Sequence, residues 1–324
     1  MKICSLLPSG TEVLFALGLG DQVIGVSDLC DYPPEAQGKP VVSRSKVDPN
    51  VLSSDQVEEV MQRLLATGEN PFELDNDWIM GNSPDVVLTQ DLCYFCEVDA
   101  GQVREIAGTM PSPPQVVVLQ PRTLGEIFDS IMQVGEACRA DPEAKKLVRT
   151  LRERVEAITD TLSATKKSPR VFSLEGINPI VIGGHWIPEL LQLAGGRQEM
   201  FPPGSPAARP EWADICAWAP EKLFIDLCSS DLARSLREIP WLAAQDGWGG
   251  LPAVETGEVY LIDHVYFSRP GPRIVKGLEI LAQLTHPEAF SGLIPPNTVA
   301  KLDQDLAAAA TLQEIAGCFK PFPG

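Results

Sequence analysis

Short apolar runs alternate with segments of helical periodicity along most of the chain. Buried strands are predicted at residues 3–7, 23–26, 41–42, 86–89 and 116–119, and again at 171–174, 223–225 and 259–262. Helices are predicted between many of them, including 11–20, 53–66 and 99–108. Strands that are apolar on both faces and separated by helices are typical of parallel sheets covered by helices. The pattern therefore predicts an α/β fold.

A long helical region interrupts this alternation between residues 124 and 165. Its second half is amphipathic, with apolar residues at spacings of three and four: Leu147, Leu151, Val155, Ile158 and Leu162. The sequence therefore predicts two α/β lobes joined by one long helix. The predicted N-terminal lobe is 1–122, the helical linker is 123–168, and the C-terminal lobe is 169–324. After Ser291 we expect a helical extension of one or two helices.

Two pairs of segments recur in the same order in both halves of the chain. "CSLLPSG" followed by "TEVLFALGLG" resembles "FSLEGIN" followed by "PELLQLAGG". Likewise "WIMGNSPDVVLTQDLC" resembles "WADICAWAPEKLFIDLC", and both end in Asp-Leu-Cys. Repeats of this kind indicate that the two halves are variants of one structural unit.

The length and composition of the chain argue against a single compact core, a nucleic-acid partner and a transmembrane segment. A chain of 324 residues with 44% hydrophobic residues is too long for one compact core. The 44 acidic residues against 26 basic ones give a net charge of −18, which disfavours nucleic acid as a partner. Residues 1–10 lack the features of a signal peptide, and no apolar run has transmembrane length. As written, the chain is expected to be cytoplasmic, or periplasmic if a signal peptide has been removed.

The eight cysteines are spaced irregularly, which argues against a disulfide scaffold. Three of them, Cys4, Cys138 and Cys216, sit in apolar or helical patterns and are expected to be packed thiols. Cys93 and Cys96 form a C-x-x-C pair just after a predicted strand. They have three interpretations: thiols that line a pocket, soft-metal ligands completed by Cys30, Cys228 or a histidine, or a redox pair.

The loops after the predicted strands hold most of the unusual side chains. In open α/β sheets, ligands bind beyond the carboxyl ends of the strands. A large amphipathic ligand needs flat apolar contacts for its ring and fixed polar groups for its edges. The polar candidates are Ser9, Thr11, Asp31, Arg44, Gln90, Asp91, Asp226 and Arg269. The aromatic candidates are Tyr32, Tyr94, Trp186 and Tyr266, and the metal-contact candidates are Cys30, Cys93, Cys96 and His185.

Structural interpretations compete with several of these assignments. Thr11 is the residue type of a helix cap, and His185 could cap a helix or lie in the core. Arg44 and Arg269 could pair with the many acidic residues instead of a ligand. Gly183 and Gly184 indicate that the backbone approaches something closely there. No catalytic triad or zinc-protease motif is recognisable, which favours a binding protein over an enzyme.

Four segments carry a more specific likeness: "SLLPSGTEVLFALGLGDQVIGVSDLCDYPPEA", "SPDVVLTQDLC", "GHWIPELLQLAGG" and "YFSRPGPRIVKGLEILAQLTHPEAF". They resemble the cobalamin-binding branch of the class III periplasmic binding proteins, the substrate-binding components of importers for cobalamin, iron–siderophore and haem. The resemblance implies two Rossmann-like lobes with parallel-rich sheets, a rigid connecting helix, and a ligand cleft between the lobes.

The resemblance also implies a function, with departures. The expected ligand is cobalamin, another corrinoid or a similar metal chelate. The alternative is a soluble metal-binding protein or metalloenzyme that holds zinc or iron with Cys and His ligands. Family members that deliver to a membrane permease carry an acidic docking residue on each lobe. The corresponding positions are Asp77 and Ala213, so permease docking is not favoured. Two positions that are aromatic in cobalamin binders are Leu29 and Gln90.

Overall fold

A computed structural model describes residues 1–48, 50–91 and 100–322 of the chain. The described residues form two compact units. Unit 1 consists of Met1–Asp48, Glu59–Glu153 and Arg269–Pro272, and unit 2 of Pro49–Glu58, Arg154–Ser268 and Arg273–Gly324. The units are discontinuous along the chain, whereas the predicted boundaries at residues 122 and 168 assume continuous ranges. Those boundaries stay a prediction.

Unit 1 is built on a six-stranded sheet. Its strands are β1 (Ile3–Ser5), β2 (Val23–Ser27), β3 (Val41–Ser45), β4 (Phe72–Leu74), β5 (Val86–Gln90) and β6 (Gln115–Leu119). They lie in the order β4-β3-β2-β1-β5-β6, and every neighbouring pair is parallel except β3 and β4. All residues of β1 and β5 are buried, as expected for central strands that are covered on both faces.

Six α-helices are described in the N-terminal half of the chain, and some of them have recognisable start signals in the sequence. They are α1 (Pro8–Ala16), α2 (Ser54–Thr67), α3 (Asn76–Asn82), α4 (Ala100–Thr109), α5 (Leu124–Ala137) and α6 (Asp141–Leu162). Helix α1 has a proline in its first turn, and α5 has a complete capping box formed by Thr123 and Glu126. The divisions between the units fall inside α2 and inside α6.

Unit 2 is built on a second six-stranded sheet. Its strands are β7 (Val171–Gly176), β8 (Val181–Ile182), β9 (Lys222–Ile225), β10 (Val259–Ile262), β11 (Val299–Leu302) and β12 (Phe319–Pro321). They lie in the order β12-β11-β10-β9-β7-β8. The central strands β7, β9 and β10 are parallel, and the outer pairings are antiparallel.

Six α-helices belong to the described part of unit 2 besides its share of α2 and α6: α7 (Ile187–Leu193), α8 (Trp212–Trp218), α9 (Leu232–Ala243), α10 (Pro252–Glu255), α11 (Ile274–Thr285) and α12 (Gln304–Ala307). Every residue of α11 except Lys276 is buried or nearly so. The hydrophobic core of unit 2 contains strand residues such as Phe172 and Leu261. Trp248 and residues of the C-terminal segment, including Ile315, belong to the same cluster. The two α/β units with parallel-rich sheets confirm the predicted fold class.

The C-terminal tail contains a short α-helix and a 3₁₀ helix (Ile315–Cys318), and it also contains two strands that the sequence did not predict. Beyond Ser291 the chain forms the strands β11 and β12, and the only α-helix described there is the four-residue α12. Val299 and Ala300 pair with Ile262 and Leu261 of β10, so the tail extends the sheet. Two short strands need this sheet edge to form, which a local pattern of apolar residues does not reveal.

The predicted repeat has a matching pattern of hydrogen bonds in each unit. In unit 1, Lys2 precedes β1; its amide donates to Asp85 Oδ2 (2.7 Å), and its carbonyl accepts from the Asp85 amide (2.8 Å). In unit 2, Arg170 precedes β7; its amide donates to Glu221 Oε2 (2.9 Å), and its carbonyl accepts from the Glu221 amide (2.8 Å). Both acidic residues follow a proline and precede the neighbouring strand. In each unit, the residue before the first strand is thus joined by the same two hydrogen bonds to the acidic residue before the neighbouring strand.

The helices before these prolines end alike. Helix α3 ends at Ser83 with φ 47° and ψ 69°, and α8 ends at Ala219 with φ 51° and ψ 65°. Left-handed conformations are uncommon for residues with a Cβ. Lys2 Nζ donates to the carbonyl of Asn82 (2.9 Å), and Arg170 Nε donates to the carbonyl of Ala219 (2.8 Å). The likeness of the two halves therefore includes the geometry of the helix end.

Candidate functional site

The carboxyl ends of the parallel strands bring several predicted residues to one edge of the unit 1 sheet. Strands β1, β2, β3 and β5 run in the same direction, so their ends share this edge. Ser9 and Thr11 lie in the helix after β1, Asp31 lies in the loop after β2, and Gln90 ends β5. Ser9, Thr11 and Gln90 are buried. Asp31 and Asp91 are exposed.

Thr11 does not cap its helix. Helix α1 begins at Pro8, so Thr11 lies in the helix and is completely buried. Its hydroxyl oxygen is 2.9 Å from Ser5 Oγ, 3.1 Å from Cys30 Sγ and 3.3 Å from the carbonyl of Leu7. The expectation of a threonine cap was wrong, because a proline in the first turn already fits the helix start. Thr11 instead joins the end of β1 to the loop after β2.

Arg269 is held by acidic residues of unit 1. Its guanidinium donates to both carboxylate oxygens of Asp31, with Nη2 3.0 Å from Oδ2, and lies 3.7 Å from Glu12 Oε1. Nη2 is also 3.4 Å from the carbonyl oxygen of Leu29. The side chain of Arg269 is 9% exposed and that of Glu12 is 2% exposed. The pairing with acidic residues, one of the two interpretations left open by the sequence, is thus present in the structure.

Burial alone would lower the pKa of Arg269, but the hydrogen bonds and charges of Asp31 and Glu12 raise it overall. The guanidinium is therefore charged at any physiological pH. Gly271 lies in the same segment, and a Cβ on it would be 3.4 Å from the backbone of Ser9. The segment Arg269–Pro272 therefore packs against both the loop after β2 and the start of α1.

Tyr32 is the residue after Asp31 in the sequence, and it is 43% exposed. The neighbouring strand carries Arg44, which is exposed and pairs in register with Glu73 of β4. Asp28 accepts the amide of Ser45 through both carboxylate oxygens, at 3.1 and 3.3 Å. Unit 1 therefore presents an exposed aromatic ring next to Asp31, whose carboxylate is held by Arg269.

The equivalent edge of unit 2 contains a buried carboxyl group. Asp226 directly follows β9 and is 2% exposed. Ser173 of β7 donates to its Oδ1 (2.5 Å), and its Oδ2 has no hydrogen-bond partner in the described part of the chain. Burial, reinforced by the nearby Cys228, raises the pKa of Asp226 to about 8, against the smaller lowering effect of Ser173. Asp226 is therefore largely neutral at pH 7.

The loop before α7 confirms that the glycines permit a close approach. A Cβ on Gly184 would lie 2.2 Å from the backbone nitrogen of Ala207, so the close neighbour is another part of unit 2. His185 follows with φ 54°, and its amide donates to the carbonyl of Ser205. Trp186 is 5% exposed and donates from Nε1 to the carbonyl of Phe267 (2.8 Å). Trp186 thus presents little of its ring to solvent.

Tyr266 lies after β10 in a short 3₁₀ turn and is half-buried. The guanidinium carbon of Arg273 lies 5.9 Å from its ring centroid, within the range of a cation–π contact. Asp263 begins the turn and accepts the amide of Val265 (3.1 Å). Asp226, Trp186 and Tyr266 all belong to unit 2, whereas Thr11, Asp31, Tyr32 and Arg269 belong to unit 1.

Part of the predicted site cannot be placed. Cys93, Tyr94 and Cys96 lie outside the described residues. Within the described ranges, no group of three or more His, Cys, Asp or Glu side chains could hold a metal ion. Cys30 is buried, and His185 is half-buried. In the same ranges, no helix has both the length and the apolar composition needed to cross a membrane.

The two positions compared with docking residues lie at the starts of short helices. Asp77 is exposed in the first turn of α3, and Ala213 is exposed in the first turn of α8. Asp214 adjoins Ala213, is exposed, and lies in the same first turn. The structure therefore places an acidic side chain at the start of both helices, with a shift of one position in unit 2.

Sequence reasoning did not identify Glu12 and Ser173 as members of these clusters. Glu12 lies in α1 and is almost completely buried beside Arg269. Ser173 lies in an apolar strand, and only the pairing of β7 with β9 reveals its contact with Asp226. A buried acid in an apolar helix was the available signal for Glu12, because such a group needs a partner.

Comparison with known proteins extends over most of the chain. The sequence profile of a family described as "Periplasmic binding protein" matches residues 3–266. An uncharacterized ABC transporter substrate-binding lipoprotein of Bacillus subtilis is 26% identical over 295 residues, which cover 89% of this chain and 81% of the relative. A vitamin B12-binding protein of Vibrio cholerae is 26% identical over 285 residues, 86% of each chain.

Two solved structures share the fold. The periplasmic vitamin B12 binding protein of Vibrio cholerae superposes with a TM-score of 0.63 at 20% identity, covering 88% of this chain and 96% of the other. A periplasmic heme binding protein of Pseudomonas aeruginosa has a TM-score of 0.67 at 17% identity, covering 89% of this chain and 94% of the other. At these identities the likeness shows the fold alone.

Proposed function

This chain belongs to the periplasmic binding protein family and is a substrate-binding protein of the ABC-importer type, and we propose that its ligand is cobalamin, another corrinoid or a similar metal chelate. Two of the similar proteins are named for the binding of vitamin B12 and of heme. Both are large, flat metal chelates with apolar faces and polar substituents. The proposal assigns the same class of ligand to this chain.

The observation that carries the proposal is the position of Tyr32. Its ring is 43% exposed at the carboxyl edge of the unit 1 sheet, and the preceding Asp31 is fixed by Arg269. An exposed aromatic ring on a fixed support provides a flat contact with little loss of side-chain freedom on binding. In unit 2 we assign polar contacts to Asp226 and an aromatic contact to Tyr266, at the corresponding strand ends.

The experiment is a titration of the purified protein with cyanocobalamin and, separately, with haemin, followed by isothermal calorimetry and visible absorbance. Saturable binding of one of the two, with retention of its colour after gel filtration, is the expected result. The variant Tyr32→Ala should bind about tenfold more weakly, because it loses the apolar contact of one aromatic ring. Trp241→Ala, which removes a 37% exposed ring from α9, serves as the matched control.

Two outcomes would contradict the proposal. If neither chelate binds saturably and elemental analysis finds stoichiometric zinc or iron, the protein is a metal-binding protein that uses thiolate or imidazole ligands. If a chelate binds but Tyr32→Ala and Trp241→Ala have equal effects, the assignment of Tyr32 is wrong.

A further inference from the structure

Unit 2 contains a cavity that is formed largely by the C-terminal segment. Its volume is about 360 Å³, within the range of about 300–1,000 Å³ that is typical of small-molecule sites. We name it the extension cavity, and it is lined by Ala243, Trp248, Gly249, Val254, Glu255, Gln304, Ala307, Ala308, Ala310, Thr311, Leu312 and Ile315. Seven of these residues lie in the tail that follows β11.

The floor and walls of the extension cavity are apolar. Trp248 and Ile315 are buried members of the unit 2 core and form its floor. Val254, Ala307 and Ala310 pack against this core while remaining partly exposed. Leu312 stands at the rim and is 46% exposed. A ligand that fills the cavity would therefore bury an apolar body against small aliphatic side chains and Trp248.

The rim of the extension cavity is negatively charged. Glu255 is the only charged residue of the lining, is exposed, and makes no ion pair with any residue that the structure describes. A second carboxylate lies at the rim, since Glu314 Oε2 accepts from the amide (2.9 Å) and the hydroxyl (2.8 Å) of Thr311. These hydrogen bonds lower the pKa of Glu314, so its carboxylate is ionised at neutral pH.

The stretches of sequence that form the lining are acidic. Residues 238–263 and 302–319, which contain the whole lining, include eight acidic residues and no Lys, Arg or His. Two of the eight are paired with basic residues outside these ranges: Glu238 with Arg234, and Glu258 with Lys222 and Lys301. The two rim carboxylates, Glu255 and Glu314, make no ion pair within the described residues. An apolar cavity below such a rim attracts cations with an apolar body and repels anions of the same shape. The charge distribution therefore selects one chemical class of ligand.

The extension cavity is separate from the proposed chelate site. Its tail residues 304–315 lie beyond residues 3–266, the part of the chain that the family profile matches. Its lining contains none of the residues at the carboxyl ends of β7, β9 and β10 that we assign to the chelate. A ligand of the extension cavity is therefore a second ligand of this protein.

We propose that the extension cavity binds a small organic cation with an apolar, aromatic-sized body. The body lies against Ile315, Val254 and Ala307, and the positive charge lies at the rim near Glu255 and Glu314. The site requires the tail after β11, which lies beyond the residues that the family profile matches.

Two fluorescent probes of opposite charge test this proposal on the full chain: thioflavin T, a cation, and anilinonaphthalene sulfonate, an anion. Thioflavin T should bind saturably and at least tenfold more tightly than the anion. Its affinity should fall as salt is raised, because the rim charges are exposed to solvent. Cyanocobalamin or haemin should not displace it, so failure here is distinguishable from failure of the proposed importer function.

Variants locate the site. Ala307→Trp fills the cavity and should abolish thioflavin T binding. Glu255→Gln should weaken thioflavin T binding about two- to fivefold, as is typical of one exposed ion pair, and should not weaken binding of the anion. Glu59→Gln, an equally exposed glutamate of α2 in unit 1, is the matched control and should change nothing. Far-UV circular dichroism of each variant confirms that it is folded.

Three outcomes would overturn the proposal. The first is that the anion binds as tightly as thioflavin T. The second is that folded Ala307→Trp or Glu255→Gln binds thioflavin T like the original chain. The third is that sedimentation velocity shows a dimer that Ala307→Trp dissociates, because the occupant would then be a second copy of this chain.

Discussion

Arg269 donates hydrogen bonds to both carboxylate oxygens of Asp31, a residue 238 positions earlier in the chain. The same guanidinium lies 3.7 Å from Glu12, which is almost completely buried. A buried carboxylate without a cation is costly, whereas Asp31 is half exposed and can be solvated by water. The buried Glu12 therefore decides how strongly unit 1 depends on Arg269.

The first prediction is that Arg269→Met lowers the free energy of unfolding by about 3 kcal/mol, because it leaves Glu12 buried without its cation. Urea unfolding at neutral pH measures this loss. Adding Glu12→Gln to Arg269→Met should recover part of the stability. The control is Arg149→Met in α6, which removes a guanidinium whose side chain is 70% exposed and should change stability by at most about 0.5 kcal/mol. Equal losses from Arg269→Met and Arg149→Met would contradict the assignment.

The second prediction concerns Asp226 and pH. In the unfolded chain its carboxyl ionises near its ordinary pKa of 3.8, whereas the folded protein keeps the proton up to about pH 8. The folded state therefore binds more protons in this interval, and stability falls as the pH rises through it. The slope from this one group is at most about 1.4 kcal/mol per pH unit.

Asp226→Asn replaces the neutral acid by a neutral amide of similar shape, and should flatten this dependence. Urea unfolding at several pH values across the interval, for both proteins, measures the difference. Asp129→Asn, at an exposed position of α5, is the control and should leave the pH dependence as it was. Parallel pH profiles for the original chain and Asp226→Asn would show that Asp226 is ionised in the folded protein.

The third prediction uses the left-handed residue at the end of α8. Ala219 has φ 51°, a conformation that glycine adopts without steric cost. Ala219→Gly should therefore raise the free energy of unfolding by about 0.5–1 kcal/mol in a thermal or urea melt. Ala217→Gly, two residues earlier inside the same helix and exposed, should lower it by about 1 kcal/mol. The same sign for both substitutions would contradict the described helix end.

The fourth prediction tests the close approach at Gly184. A Cβ there would lie 2.2 Å from the backbone of Ala207, which cannot move as a side chain can. Gly184→Ala should lower the free energy of unfolding by about 2 kcal/mol or more through overpacking. Gly81→Ala in α3 is the control, because nothing lies within 4 Å of its added Cβ. That substitution should raise stability by about 0.5–1 kcal/mol.

The two halves of the chain can be aligned either by the register of their sheets or by the shared Asp-Leu-Cys sequence. The two alignments differ by one residue at the ends of β5 and β9. The sheet registers pair Ile3 with Val86 in unit 1 and Val171 with Lys222 in unit 2. Counting from these pairs makes Gln90 of unit 1 equivalent to Asp226 of unit 2. The Asp-Leu-Cys match instead makes Asp91 equivalent to Asp226. Strand β5 has five residues and β9 has four, which accounts for the shift. Sequence similarity alone could not distinguish the two, because it contains no register.

The sequence by itself determined the fold class, most of the strands and helices, and the edge of each sheet where the unusual residues lie. These features depend on local periodicity and on strand direction, which a chain shows without its partners. Tertiary structure alone decided that Arg269 is paired with Asp31 and Glu12, that Asp226 contacts Ser173, and that the tail after Ser291 adds strands. Each of these depends on side chains or strand edges that are remote in sequence, and the energy of a buried charge or an unpaired strand depends on what the folded chain places next to it.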